Sequence, residues 1–264
     1  LQERSYSAAS IFVGIAGWAN PPYERDKRAP GQSHLQHYAT LFNAVEINSS
    51  FYRSHQRSTY ERWSASTPAG FGFSVKAPRS VTHDCGLRRC RSELDQFLQE
   101  IAGLGRKLKV ILVQTPASLE YDPRVAERFL KSLLAGCSAQ IALEPRHPSW
   151  FAPRVQSKLS EIGVSRVVAD PAKIAGAGRP PDAAHLVYYR LHGSPRMYYS
   201  AYTPEYSTQL SNEIRTFAVR AAEVWCLFDN TARHASWGNA LYLRHSLDRL
   251  RLLTGEASPK RATL

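Results

Sequence analysis

No apolar run in this chain of 264 residues approaches the roughly 20 that a bilayer span requires, and the opening "LQERSYSAAS" lacks the apolar centre of a secretory signal. These absences point to a soluble, cytoplasmic protein with no membrane partner. The four cysteines, Cys85, Cys90, Cys137 and Cys226, have no C-x-x-C spacing, so neither a zinc ribbon nor a dithiol redox pair is expected. Whether Cys85 and Cys90 meet is left open. Acidic residues are also scarce. Only 22 stand against 34 Lys and Arg, and the net charge of +12 favours a phosphate-bearing small molecule or a nucleic acid as partner. Part of this excess sits in "KAPRSVTHDCGLRRCR" (Lys76 to Arg91) and "GRKLK" (Gly105 to Lys109). There is no internal repeat, no low-complexity linker and no G-x-G-x-x-G, and nothing sets an oligomeric state.

What is present is a series of short apolar runs, beginning "IFVGIAGW" (Ile11), "AVEINSSF" (Ala44), "FGFSVKAP" (Phe71) and "LKVILVQTP" (Leu108). It continues with "QIALEPRH" (Gln140), "VSRVVADP" (Val164), "HLVYYRLHG" (His185) and "VWCLFDNT" (Val224). Between most of them lie stretches with helical spacing, such as Glu93 to Gly105 and Pro123 to Gly136. Strands that are nearly continuous apolar runs and alternate with helices belong to parallel sheets covered by those helices. Eight such units predict a closed (β/α)8 barrel of the TIM type, a single domain over residues 11–252 with flexible ends at 1–10 and 253–264. "PAKIAGAGRPPDAAH" (Pro171 to His185) is too short for a full packing helix and predicts an irregular or abbreviated sixth crossover. The last crossover, Gly193 to Glu223, opens with a tyrosine-rich loop before a helical run from Pro204 to Arg220.

Residues two apart on a strand share a face. In the second strand Ala44, Glu46 and Asn48 face the barrel axis; in the third, Gly72, Ser74 and Lys76 do so. Gln114 extends the axial face of Val110 and Leu112. The fifth strand places Ala142 and Glu144 inward and, if the phase continues through Pro145, Arg146 as well. The sixth ends at Asp170, and the seventh puts Tyr188, Arg190 and His192 on one face. For Asp229, Asn230 and Thr231 at the end of the eighth, both phases are apolar and the facing stays open. Charged or amide side chains thus converge on the C-terminal mouth, where barrels of this kind build their sites.

Several motifs resemble one family. They are "VGIAGW", "FNAVEINSSFY", "FSVKAPRSVTH", "VQTPAS", "ALEPRHPSW", "YYRLHG" and "FDNTARHASWGNAL", in order from about residue 11 to 252. On these residues the chain resembles the YecE-like proteins, domain of unknown function 72. It departs from the family pattern at Ala16 and Pro145. The resemblance implies a TIM-type barrel with a polar mouth like those of apurinic endonucleases and sugar isomerases, and supplies no established reaction.

Three readings of the mouth follow. In the first, the protein is an enzyme of the phosphodiester or sugar-phosphate class, with Lys76, Arg146 and Arg190 on phosphate oxygens. His192 with Glu144, Glu46 or Asp229 would serve as acid or base. Trp18, Tyr52, Trp150, Tyr199 and Tyr202 would stack on a base or sugar, with Asn48, Gln114 and Asn230 as polar contacts. A divalent metal is a natural companion, with Glu46, Glu144, Asp170, His192 and Asp229 as candidate ligands, although no cofactor is required. In the second reading, paired carboxylates serve a carbohydrate hydrolase. In the third, the chain is a non-catalytic nucleic-acid-binding module.

Overall fold

A computed structural model of the protein describes residues 10–180, 185–219 and 223–254. Its nine parallel strands are β1 (Ile11–Ala16), β2 (Ala44–Ile47), β3 (Gly72–Lys76), β4 (Leu108–Gln114), β5 (Gln140–Glu144), β6 (Val164–Arg166), β7 (Val168–Asp170), β8 (Leu186–Leu191) and β9 (Glu223–Phe228). The covering helices are α1 (Pro22–Arg25), α2 (His34–Leu41), α3 (Arg57–Ala65), α4 (Arg91–Ile101), α5 (Pro123–Gly136), α6 (Pro153–Ile162), α7 (Pro204–Val219) and α8 (Ala235–Thr254). The ninth strand comes from a split. The expected sixth strand breaks at Val167: β6 pairs with β5, β7 pairs with β8, and Val167 N–H still donates to Leu143 O. Nine segments therefore make the eight staves of a barrel. Residues 171–180, in the sixth crossover, form turns without a helix, as their composition leads one to expect. The chain ends expected to be flexible lie almost wholly outside the described residues. No described helix is long and apolar enough to cross a membrane.

The inward-facing residues fill the barrel by matching large against small. Phe12 and Trp225 stack at 4.5 Å near the N-terminal end, joined by Val110, Leu112, Leu186 and Leu227. Gly72 makes this fit possible, because a Cβ there would lie 2.8 Å from the Trp225 ring and 3.0 Å from that of Phe12. The outward phase, including Val45, Ile47, Phe73, Val75, Ile141 and Leu143, packs beneath the helices as strand alternation requires. The phase left open in the last strand resolves with Trp225 and Leu227 on the axis, so Asp229 continues inward.

β2 is short, and side chains complete its junction with β1. Asn43 accepts from Val13 N at 2.9 Å and donates to Ile11 O at 2.8 Å, in the manner of one more ladder residue. The fully buried Tyr38 of α2 inserts its hydroxyl next: it accepts from Ile15 N at 2.8 Å and donates to Ala44 O at 2.7 Å. Gly14 leaves room for it, since a Cβ at that position would fall 2.8 Å from Tyr38 Oη and 2.0 Å from Ala44 O. Tyr38→Phe keeps the ring but orphans a buried N–H and a buried C=O, each costing about 1–3 kcal/mol. We expect this variant to lose about 2–4 kcal/mol in urea unfolding; a loss below about 0.5 kcal/mol would show that both groups find other partners.

Candidate functional site

The strand ends converge on one guanidinium. Arg190 of β8 is 1% exposed and donates from Nε and Nη2 to the two carboxylate oxygens of Glu46 (2.9 and 2.7 Å). It also donates from Nη1 to Glu144 (2.7 Å) and from Nη2 to Asp229 (3.1 Å). Around this core, the Tyr188 hydroxyl donates to Glu46 at 2.9 Å and lies 2.8 Å from Ser74 Oγ, which can donate to it. Gln114 Nε2 donates to Glu144 at 2.8 Å. His192 Nδ1 bonds Asp229 at 3.0 Å, while its Nε2 is buried without a hydrogen bond, 3.7 Å from Glu144 Oε1. All four candidate acid–base residues, Glu46, Glu144, His192 and Asp229, thus belong to one network.

This geometry corrects the expectation for Arg190. Four hydrogen bonds to carboxylates occupy all but one of its five N–H groups, so it cannot also grip a phosphate through two of them. The network sets the charges of its members. Burial raises the Glu144 pKa, but the charges of Arg190, His192 and Arg146 more than offset it and hold the carboxyl well below its usual range. Asp229 is likewise lowered, its burial outweighed by Arg190 and His192. His192 is raised, because its contacts with Asp229 and Glu144 outweigh burial. A glycosidase acid needs the opposite, a carboxyl kept protonated near neutral pH, which neither Glu144 nor Asp229 provides.

Above the network lies a cavity of about 350 Å³, lined by Asn48, Phe51, Tyr52, Lys76, Arg79, His83, Gln114, Arg146, Arg190, Tyr198 and Asp229. Its lining carries four cations against one carboxylate. Ser50 Oγ, within reach of both Ile47 O and Lys76 O, ties the turn after β2 to the end of β3 and sets Phe51 beneath Lys76. Lys76 Nζ stands 4.2 Å from the centre of that ring. Burial, aided by the Arg190 charge, pulls its pKa down to about 8 against the opposing carboxylates. Arg146 donates to Glu144 at 3.3 Å and lines the cavity. Tyr52 is 79% exposed on the rim, where a second recess of about 290 Å³ shares Phe51, Tyr52 and Arg79 with the first.

Four lining residues are not among the candidates read from the sequence: Phe51, Arg79, His83 and Tyr198. Arg79 and His83 follow β3 in "KAPRSVTH", four apart, inside a cluster legible only as charge. Burial and the Lys76, Arg79 and Arg146 charges lower the His83 pKa, so its ring is neutral near pH 7. Tyr198 has a left-handed backbone (φ 68°) and sets its ring edge-on to His192, with centroids 5.7 Å apart.

Other candidates lie outside the cavity for identifiable reasons. Trp18 packs edge-on against Trp63 at 4.9 Å, and Trp150 is 1% exposed and donates its indole N–H to Leu119 O at 2.8 Å. Tyr199 sits beneath Arg196, 4.0 Å from its ring centre. The Tyr202 hydroxyl donates to Asp170 Oδ1 at 2.7 Å and accepts from Gly193 N at 2.9 Å. Asn230 turns away from the axis, its Nδ2 donating to Ser200 O and Asn239 Oδ1. Tyr202, Asp170 and Asn230 therefore brace the loop that presents Tyr198. His147 accepts from Ser149 N at 3.2 Å and anchors its own loop. The five candidate metal ligands do not fit a metal: three have their oxygens on Arg190, and Asp170 is held by Tyr202. Among the described residues no group of three or more His, Cys, Asp or Glu is placed to hold an ion.

Removing Arg190 would leave three buried carboxylates unbalanced. Glu144 and Asp229, lowered by folding, contribute stability at neutral pH that disappears as acid titrates them; His192, raised by folding, contributes below its folded value and loses that contribution as pH rises through it. Arg190→Met should cost about 3–5 kcal/mol near pH 7 and progressively less toward acid pH, where the carboxylates it leaves unpaired become protonated, so the acid limb flattens in urea melts across pH. An unchanged acid limb would contradict this electrostatic account.

Comparison with known proteins agrees with this architecture. The chain is 30% identical to the UPF0759 protein YecE of Escherichia coli K12 over a segment covering 66% of this chain and 64% of YecE. A crystal structure of a DUF72 family protein from Thermotoga maritima superposes with a TM-score of 0.76 at 24% identity, covering 90% of this chain and 99% of that one. A sugar phosphate isomerase/epimerase from Parabacteroides distasonis shares the fold with a TM-score of 0.53 at 12% identity, over 92% and 96% of the two chains. The family model described as Protein of unknown function DUF72 matches residues 12–263, and the chain belongs to that family.

Proposed function

We propose that the mouth of the barrel is the active site of an enzyme acting on a small phosphate-bearing substrate. One observation carries the reading: a recessed cavity lined by Lys76, Arg79 and Arg146 above the internally paired Arg190, with Asp229 the one carboxylate among its lining residues. Such a lining attracts an anion, and water exclusion strengthens each contact. Arg146 is best placed to take phosphate oxygens, since one of its nitrogens is on Glu144 and the others are uncommitted among the described residues. Arg79 contributes from the rim, where its Nε is 3.1 Å from Asp84.

Size favours a sugar phosphate over a nucleic acid. About 350 Å³ lies near the lower end of the range of small-molecule pockets, and a duplex cannot enter it. The recess beyond Tyr52 gives room for the part of the substrate that carries no phosphate. For the chemistry, Asp229 and the neutral His83 reach the cavity directly, whereas His192 stands behind Asp229 and Tyr198 and acts through the former. Glu46 and Glu144 hold the floor's charge. The Parabacteroides likeness lends only the fold.

Titration calorimetry with inorganic phosphate, followed by a turnover screen of sugar phosphates, tests the reading. Arg146→Ala should weaken phosphate binding about 10- to 100-fold while leaving thermal stability nearly unchanged, as loss of a charged hydrogen-bond donor implies. Salt-sensitive DNA binding without phosphate binding or turnover would overturn it in favour of the nucleic-acid module.

A further inference from the structure

Lys76 differs from every other cation at the mouth. It ends β3 with its side chain toward the axis, is 7% exposed, and makes neither a hydrogen bond nor an ion pair with its side-chain nitrogen among the described residues. Three carboxylates stand close enough to influence it, yet all three are bound by Arg190 instead. What remains beside Nζ is the face of Phe51, the Arg190 charge and the open cavity. A ring face offers no lone pair and a neighbouring guanidinium repels. A lysine kept only to bind phosphate as a point charge gains nothing from such surroundings, whereas an amine meant to react gains its free electron pair.

We propose that Lys76 is a nucleophile that forms an imine with the carbonyl carbon of a phosphorylated aldose or ketose. This deepens the reading above and rests on it: Arg146 and Arg79 hold the phosphate, and Lys76 takes the carbonyl. The Nζ electron pair forms the new C–N bond as the carbonyl π pair moves to oxygen. The carbinolamine oxygen then leaves as water with, in net terms, the two hydrogens of the neutral amine. No oxidant or reductant is consumed. His83, on the same cavity wall, can accept the proton that the ammonium must first lose. A pKa of about 8 leaves a useful fraction of free amine near neutrality. The groups that set it are burial and Arg190 on one side, and Glu46, Glu144 and Asp229 on the other. Asn48 Oδ1, buried without a partner and lining the same cavity, is a ready acceptor for a substrate hydroxyl.

Borohydride trapping tests the proposal on the wild-type chain. Protein incubated with dihydroxyacetone phosphate, or in parallel with dihydroxyacetone, is reduced and digested, and each lysine peptide is examined by mass spectrometry. The expected result is an adduct on Lys76 alone, at least tenfold more abundant with the phosphorylated probe, and absent when borohydride or carbonyl is omitted. Lys76→Arg, which keeps the charge but cannot form the imine, should show no adduct at position 76 in a protein whose thermal melt shows it to be folded. Phosphate binding without any Lys76 adduct overturns the nucleophile and leaves the phosphate site standing. Equal trapping of both probes at Lys76 supports the nucleophile and overturns the phosphate reading. Adducts spread over surface lysines overturn the proposal.

Discussion

The bond between the Arg190 guanidinium and three carboxylates is the constraint around which this barrel mouth is arranged. The carboxylates come from β2, β5 and the end of β9, so one side chain gathers the ends of staves that are far apart in sequence. Burying these charges is tolerable only because each acid has its counter-charge within hydrogen-bonding distance. The arrangement also determines what its neighbours are. Glu144 and Asp229 remain ionised, His192 is pulled toward its protonated form, and Lys76 is left beside acids that have no oxygen to spare for it.

Polarity rises in layers toward the mouth. Phe12 and Trp225 close the lower part of the barrel, with Gly72 giving way to their rings. Ser74 and Tyr188 form a hydroxyl layer above them, and the ionic layer follows. Because the interior is filled to this height, the cavity is shallow and its lining comes from loop residues as much as strand ends. This is why Phe51, Arg79, His83 and Tyr198 matter as much as the strand residues that first draw the eye.

Alternation along the strands made much of this legible. Glu46, Lys76, Gln114, Glu144 and Arg190 fall on the axial face because apolar residues one step away must meet the helices. Alternation is silent where both phases are apolar, as in "VWCLFDNT", and it is Trp225 lying on the axis that separates Asp229 from Asn230. It also cannot show that a charge is already spoken for. Arg190 reads as a phosphate ligand in one dimension and is an internal counter-ion in three. Loop residues obey no period, so Tyr198 could not be told from Tyr199 and Tyr202, which stood out by type alone, and nothing in the pattern aims the loop histidine His83 at the cavity. The split of the sixth strand was not read from the pattern either, although "VSRVVADP" places the polar pair Ser165 and Arg166 just before Val167.

That split gives the ion pair between Glu144 and Arg190 a mechanical meaning. At Val167 the chain leaves the ladder of β5 and joins that of β8, so the cylinder has a seam there with fewer backbone bonds running around it. Glu144 ends β5 and Arg190 lies in β8, one on each side. Their 2.7 Å contact crosses the seam like a hoop around a barrel and carries circumferential load where the ladder is interrupted. The same charges that shape the floor of the cavity thereby keep its two walls from spreading.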